Sequence, residues 1–204
     1  MFISGNHNTF NFEDCRFDSN FSFNPDGIAL YNNSVSDSFY FKNVNMFNHN
    51  TIINGELLYF ISEGSGNALL LNFDSCAIFN NKLGGSSKGL IALLVYDETY
   101  NIKINNCLFE NNKIAQGSLI VDVTNSKGEI SIKNTKFYNN KSQNPNLACI
   151  DYIGRGENGT DNVFYLDNCV FARNDGAFTM INEFGSSIAY ITNCTFSIME
   201  NILL

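Results

Sequence analysis

The sequence predicts an all-β fold, a right-handed parallel β-helix solenoid of about seven coils, each roughly 30 residues long with three short strands. Three observations carry this expectation. Relatives of the stretch "IKINNCLFENN" at 102–112 recur from one end of the chain to the other, apolar and polar residues alternate inside each copy, and a further apolar run precedes most copies.

In chain order the copies are "TFNFEDCRFDSN" around Cys15, "FYFKNVNMFNHN" around Phe47 with one apparent insertion, and "LNFDSCAIFNN" around Cys76. The reference copy around Cys107 follows, then "ISIKNTKFYNN" around Thr135, "FYLDNCVFARN" around Cys169 and "AYITNCTFSIM" around Cys194. Within the reference copy Ile102 and Ile104 alternate with Lys103 and Asn105, then Cys107 and Phe109 with Leu108 and Glu110. That period of two is the mark of strands. A polar residue before the Cys position (Asp14, Ser75, Asn106, Asn134, Asn168, Asn193) interrupts the alternation, which makes it a corner. Asn suits such a corner because its side chain bonds nearby backbone and tolerates the left-handed conformation.

The third strand of each coil is read from the upstream runs "GIALY" from Gly27, "GELLYF" from Gly55, "GLIALLV" from Gly89, "GSLIVDV" from Gly117, "NLACIDYI" from Asn146 and "GAFTMI" from Gly176. No unit can bury its inner face alone. Stacked at the spacing of neighbouring strands, about 4.8 Å, seven turns make a rod of about 30 to 35 Å. Polar stretches at 62–67, 96–101, 124–129, 154–162 and 183–187 are loops, expected along one edge of the rod where solenoids carry binding features. Arg155, Glu157 and Asp161 in the longest of them are candidate ligand contacts. Residues 1–204 read as a single domain, expected to be a piece of a longer repeat protein in end-to-end contact with further repeats. Ile198, Met199, Ile202 and Leu203 make 197–204 a candidate C-terminal cap.

The motifs Phe17 to Asn20, Phe47 to Asn50, Phe109 to Asn112, Phe137 to Asn140 and Phe171 to Asn174, set beside the Gly-opened runs, resemble polymorphic outer membrane protein repeats. That family alternates FxxN with a GGA(I/L/V) motif. Here "DGIA" at Asp26, "QGSL" at Gln116 and "DGAF" at Asp175 keep one Gly, Ile78 replaces Phe in the third copy, and Met199 replaces Asn in the last. The resemblance implies a pectin-lyase-like β-helix of the kind used in bacterial adhesins and in large surface proteins of some protists. It thereby implies an extracellular or cell-surface location; the family's outer-membrane barrel is absent from these residues.

Composition narrows the function classes. Charged residues are only 16% of the chain while Asn is one residue in six, so uncharged amides supply most of the polar surface. Nineteen Phe against 2 Pro argues against disorder. A net charge of −8 disfavours a nucleic-acid partner, which requires a clustered basic face. No apolar run is long enough to span a membrane, and "MFISGNHNTF" lacks the form of a secretory signal.

Cys15, Cys76, Cys107, Cys169 and Cys194 share one inward position and read as a reduced core ladder. Cys15 and Cys76, two rungs and therefore about 10 Å apart, lie beyond disulfide reach. With His7 and His49 the only histidines and no C-x2-C pair, neither metal nor cofactor is expected. Phe17, Phe47, Phe109, Phe137, Phe171 and Phe196 read as a core column, and Asn112, Asn140 and Asn174 as an amide ladder of the kind seen in stacked β assemblies.

Outward residues of the middle strand are the only enzyme face the sequence offers. Lys133 beside Asp167, with Lys103, Tyr165 and Tyr190 nearby, has the makings of a shallow sugar groove. A lyase needs a base beside charge-neutralising groups, and a glycosidase two carboxylates about 5 to 9.5 Å apart. Alternating charges on a sheet face are also what cross-strand pairing produces. The expectation is therefore a non-catalytic, adhesin-like module that presents loops to a protein or glycan. A polysaccharide lyase or glycoside hydrolase is the alternative, with Lys133 and Asp167 as its residues, and an inert spacer is the second alternative. Of five sequons, Asn158 is the plausible glycan acceptor.

Overall fold

In the second and third sheets alternation of apolar and polar residues leaves each strand with one face to bury, and among the described residues no strand has a hairpin partner. The computed structural model describes residues 2–3, 7–22, 30–33, 37–52, 55–63, 68–85, 89–96, 99–124, 127–143, 149–154, 162–174 and 187–197, and among them it is all-β. The chain climbs through four parallel sheets in turn, so that each strand pairs with its counterpart about thirty residues away. The result is a parallel β-solenoid, in which two sheets have seven strands each, one has six and one has five. Right-handed winding is the hand that connections between parallel neighbours adopt in about 98% of cases.

One coil runs from Leu58–Glu63 in the first sheet to Ala68–Asp74 in the second, Ala77–Phe79 in the third and Lys82–Leu83 in the fourth. Three strands per coil is therefore corrected to four. The extra strand follows the FxxN motif and recurs as Phe21–Ser22, Asn50–Thr51, Lys82–Leu83, Lys113–Ile114 and Lys141–Ser142. Two residues are too few to display a period of two.

Both corners of the repeat need a left-handed residue. Asp14, Asn43, Ser75, Asn106, Asn134, Asn168 and Asn193 have φ between 50° and 57°, and so, at the second corner, do Ser19, Asn48, Asn80, Asn111, Asn139 and Arg173. Asn fills most of these positions because its side chain compensates the strain by local bonding. Here those bonds also run between rungs: Asn168 Nδ2 donates to Asn134 Oδ1 at 2.7 Å and Asn106 Nδ2 to Asp74 Oδ1 at 3.0 Å.

The inner face is largely apolar and rich in aromatic rings. Phe109, Phe137 and Phe171 are buried, and their rings stack with centroids 4.9 and 4.5 Å apart; Phe171 continues to Phe196 at 5.1 Å. A second column passes through Phe12, Phe41 and Phe73 at 4.9 and 4.6 Å. The rung spacing of about 4.8 Å imposes this face-to-face geometry, and each buried ring contributes about 1.5 to 3 kcal/mol. All six cysteines are free; Cys76, Cys107 and Cys169 are buried and their thiols donate to backbone carbonyls two residues back.

The second copy contains no insertion. Phe17 and Ile78 both register with Met46, and Phe47 registers with Asp18 and Phe79. Phe47 thus leaves the core column to Met46 and lies on the outer face, stacked on Phe79 at 4.7 Å with the Arg16 guanidinium 4.5 Å above its ring. The tandem Met46-Phe47 offers two apolar residues for one inward position, and the unbranched Met packs there. The motif is then Met46 to His49, so His49 takes the ladder position that the FxxN reading gives to Asn50.

That ladder is the buried polar spine of the rod. Asn81 donates through Nδ2 to Asn112 Oδ1 at 3.0 Å, Asn112 to Asn140 at 2.9 Å and Asn140 to Asn174 at 3.0 Å. Each Oδ1 also accepts the backbone N–H of the preceding ladder residue. The other amide proton reaches back to the carbonyl of the core residue one rung earlier, Ile78, Phe109 and Phe137 in turn. His49 reproduces this pattern with a ring. Its Nδ1 accepts the Asn20 N–H at 3.2 Å and its Nε2–H donates to the Phe17 carbonyl at 3.2 Å.

Two outcomes test this packing. Phe137→Ala should cost about 3 to 5 kcal/mol in chemical unfolding, whereas Phe47→Ala, removed from the core column, should cost about 1 to 2 kcal/mol. Burial pushes the His49 pKa below its usual value, opposed by the bond to Phe17. The native state holds the neutral ring, because a proton on Nδ1 would face the Asn20 N–H. Its contribution is therefore complete above the unfolded pKa of about 6.5 and is lost as pH falls through the depressed native value. Melting temperature measured from pH 7.5 down to 5 should fall, and His49→Asn, which supplies the amide of the other rungs, should flatten that fall.

Candidate functional site

Strands of the second sheet carry alternate residues outward in register, and this places the sequence candidates in two columns. One reads Glu13, Lys42, Asp74, Asn105, Lys133, Asp167 and Thr192; the other reads Asn11, Tyr40, Asn72, Lys103, Ser131, Tyr165 and Tyr190. Lys133 and Asp167 are direct neighbours, and Tyr165 stacks on Tyr190 with centroids 5.0 Å apart and rings 10° from parallel. Lys103 is two rungs below Tyr165, with the buried Ser131 between them. These five residues therefore share one sheet face. Arg155, Glu157, Asp161 and Asn158 lie outside the described residues, as does 198–204 of the cap candidate. Four times, from Leu58–Glu63 to Ala68–Asp74, Gly89–Tyr96 to Thr99–Asn105, Ser118–Thr124 to Lys127–Lys133 and Ile150–Gly154 to Asn162–Asp167, the chain passes from the first sheet to the second, and these strands take in 99–101 and 127–129 of the stretches read as loops.

The carboxylates of this face are occupied by their neighbours. Lys42 Nζ meets Glu13 Oε1 at 2.6 Å. Asp167 Oδ1 accepts from Thr192 Oγ1 at 2.7 Å and Asn193 Nδ2 at 3.0 Å, and these two bonds hold its carboxyl below the ordinary carboxylate range. A carboxylate so held is a weak base and no acid at neutral pH. Along the column Glu13 and Asp74 are two rungs apart, about 9.6 Å, with Lys42 between them. Nucleophilic chemistry finds no better footing among the thiols. Cys169 is fully buried and desolvation pushes its pKa up to about 11, while the bond shared with Cys76, together with burial, raises that of Cys107. Protonated, enclosed thiols are packing groups. Among the described residues no group of three or more His, Cys, Asp or Glu could hold a metal.

A second face went unnoticed in the sequence. In the fourth sheet Lys82 pairs with Lys113 and Lys113 with Lys141, so three lysines stand on consecutive rungs. They border a groove of about 450 Å3 whose other walls are Leu83, Gly84, Gly85, Ile114, Ala115, Ser142 and Gln143. Gly84 is required there: a Cβ would stand 2.5 Å from the Ile52 carbonyl oxygen and 2.7 Å from that of Thr51. The signal was the tripeptide Asn-Asn-Lys, repeated at 80–82, 111–113 and 139–141.

Among family models, curated proteins and solved structures, none matches this chain. Among the described residues no helix is long and apolar enough to cross a membrane.

Proposed function

We propose that the chain is a non-catalytic segment of a surface or secreted protein, similar to adhesins with polymorphic outer membrane protein repeats on a pectin-lyase-like rod, which presents loops and outer faces to a protein or glycan partner. The observation that carries this reading is the mutual engagement of charges on the second sheet. Asp167 is bound by Thr192 and Asn193, and Glu13 by Lys42, which leaves no carboxylate pair facing a common space on this sheet among the described residues. Inward residues are equally committed, the Phe and Cys to packing and the Asn to the ladder.

End-to-end association with further repeats is part of the proposal. It is favoured by the inward residues of the last described rung, Ile191 and Phe196, which remain 43% and 46% exposed. Asn140, 3% exposed and tied into the ladder, is unsuited as a glycan acceptor despite its sequon.

The stacked Tyr165 and Tyr190 beside Lys133 favour a second reading, a lyase or hydrolase on this face. A glycan array run alongside an absorbance assay for unsaturated uronate products separates the two. The expected outcome is binding without turnover. Turnover abolished by Lys133→Ala would replace the first reading with the second, and silence in both assays would favour an inert spacer.

A further inference from the structure

Parallel rungs in register put identical positions directly above one another, and for like charges that juxtaposition is unfavourable. The second sheet avoids it by alternating Glu13, Lys42 and Asp74, and by setting Lys133 against Asp167. Lys82, Lys113 and Lys141 break that rule on three successive rungs, in a chain of net charge −8. Lys82 and Lys113 are exposed, and neither forms an ion pair within the described residues. No acidic side chain lines the groove that the three lysines border.

We infer that this groove binds an extended polyanionic glycan lying along the rod axis, with an anionic group opposite each lysine. The lysines repeat at the rung spacing of about 4.8 Å, a linear array of charge suited to a polymer and not to a single small anion. Lysine presents a compact, hydrated point charge, whereas the planar fork for bidentate phosphate or carboxylate contacts belongs to arginine, and none lines this groove. Single-stranded nucleic acid would require aromatic platforms for its bases, and the lining has none. Instead Ser142 and Gln143 offer polar groups for hydroxyls, and the small Gly84, Gly85 and Ala115 keep the floor low enough for a sugar ring to approach the lysines. Uronate or sulfate supplies the same anionic array, and the two are separated by experiment. The inference takes from the proposed function only that binding proceeds without turnover; the groove itself does not depend on that reading.

The test is fluorescence-polarisation binding to the full chain at low ionic strength, with a labelled heparin hexasaccharide, a labelled oligogalacturonate and a labelled single-stranded oligonucleotide as probes. At least one glycan should bind, with affinity falling steeply as salt rises. Lys113→Gln should weaken it up to about fivefold, the yield of one exposed charge pair, and Lys82, Lys113 and Lys141 changed together to Gln should weaken it about a hundredfold. Lys136→Gln, an exposed residue of the third sheet outside the groove lining, should leave it unchanged. Without ligand the variant changed at Lys82 and Lys113 alone should melt at or above the temperature of the parent, since like-charge repulsion is removed, and this shows that lost binding is not lost folding. Failure of both glycans to bind, unchanged affinity in the triple variant, or an oligonucleotide bound as tightly as either glycan would each overturn the inference. Product release from the bound glycan would overturn the non-catalytic reading and leave the site standing; absence of binding does the reverse.

Discussion

In-register stacking of parallel rungs is the constraint on which the rest of this structure depends. A side chain in such a rod has its own counterpart as neighbour, above and below, at about 4.8 Å. Residue types are therefore selected by how well they tolerate themselves. Phe gains from self-stacking, as at Phe109, Phe137 and Phe171, and Asn gains because its amide carries both donors and an acceptor. Charged residues gain nothing from it, which accounts for a rod with only 16% of them.

The asparagine spine shows how completely a buried polar group must be satisfied. Asn112 and Asn140 each donate both amide protons and accept twice, so neither proton is left unpaired in the core. An orphaned donor or acceptor there would cost about 1 to 3 kcal/mol. His49 meets the same demand with two ring nitrogens, one accepting and one donating, and only in the neutral form. It has no second donor to send to Asn81 Oδ1, which takes the His49 backbone N–H instead. The substitution is chemically exact in two bonds of the pattern and short by one, and it brings a titratable group into a spine that is otherwise indifferent to pH.

What the sequence disclosed follows from the same constraint. Because each rung repeats the last, the period-two strands, the Asn corners and the inward Cys and Phe were legible by alignment of the copies alone. Alignment failed where a copy offered two answers. Met46 and Phe47 are adjacent apolar residues, and anchoring on the aromatic shifted the register by one, which displaced the ladder from His49 to Asn50. Strands of two residues were invisible because alternation needs at least three. With them went the outward face of the fourth sheet, although Asn-Asn-Lys stood in three successive copies. Lys133, Asp167, Tyr165 and Tyr190 were correctly assigned to one face, but their mutual bonds were not foreseeable: that Asp167 is held by Thr192 and Asn193 depends on the register of a rung 25 residues away. The loop residues are unrepeated, so nothing in the rest of the chain informs them.

Repetition also separates the two outward faces by their electrostatics. On the second sheet opposite charges alternate in register, with Lys42 paired to Glu13 and Lys133 set beside Asp167, so neighbouring rungs offset one another's field. On the fourth sheet the lysines add, and the field of three aligned ammonium groups is uncompensated by any acid in the groove walls. A column that only held rungs together would be better served by alternation, which this chain achieves elsewhere with the same residue types. The stability forgone by aligning Lys82 with Lys113 is recovered when negative charge arrives from outside. The fold thus makes the binding face recognisable as the place where its own stacking rule is broken.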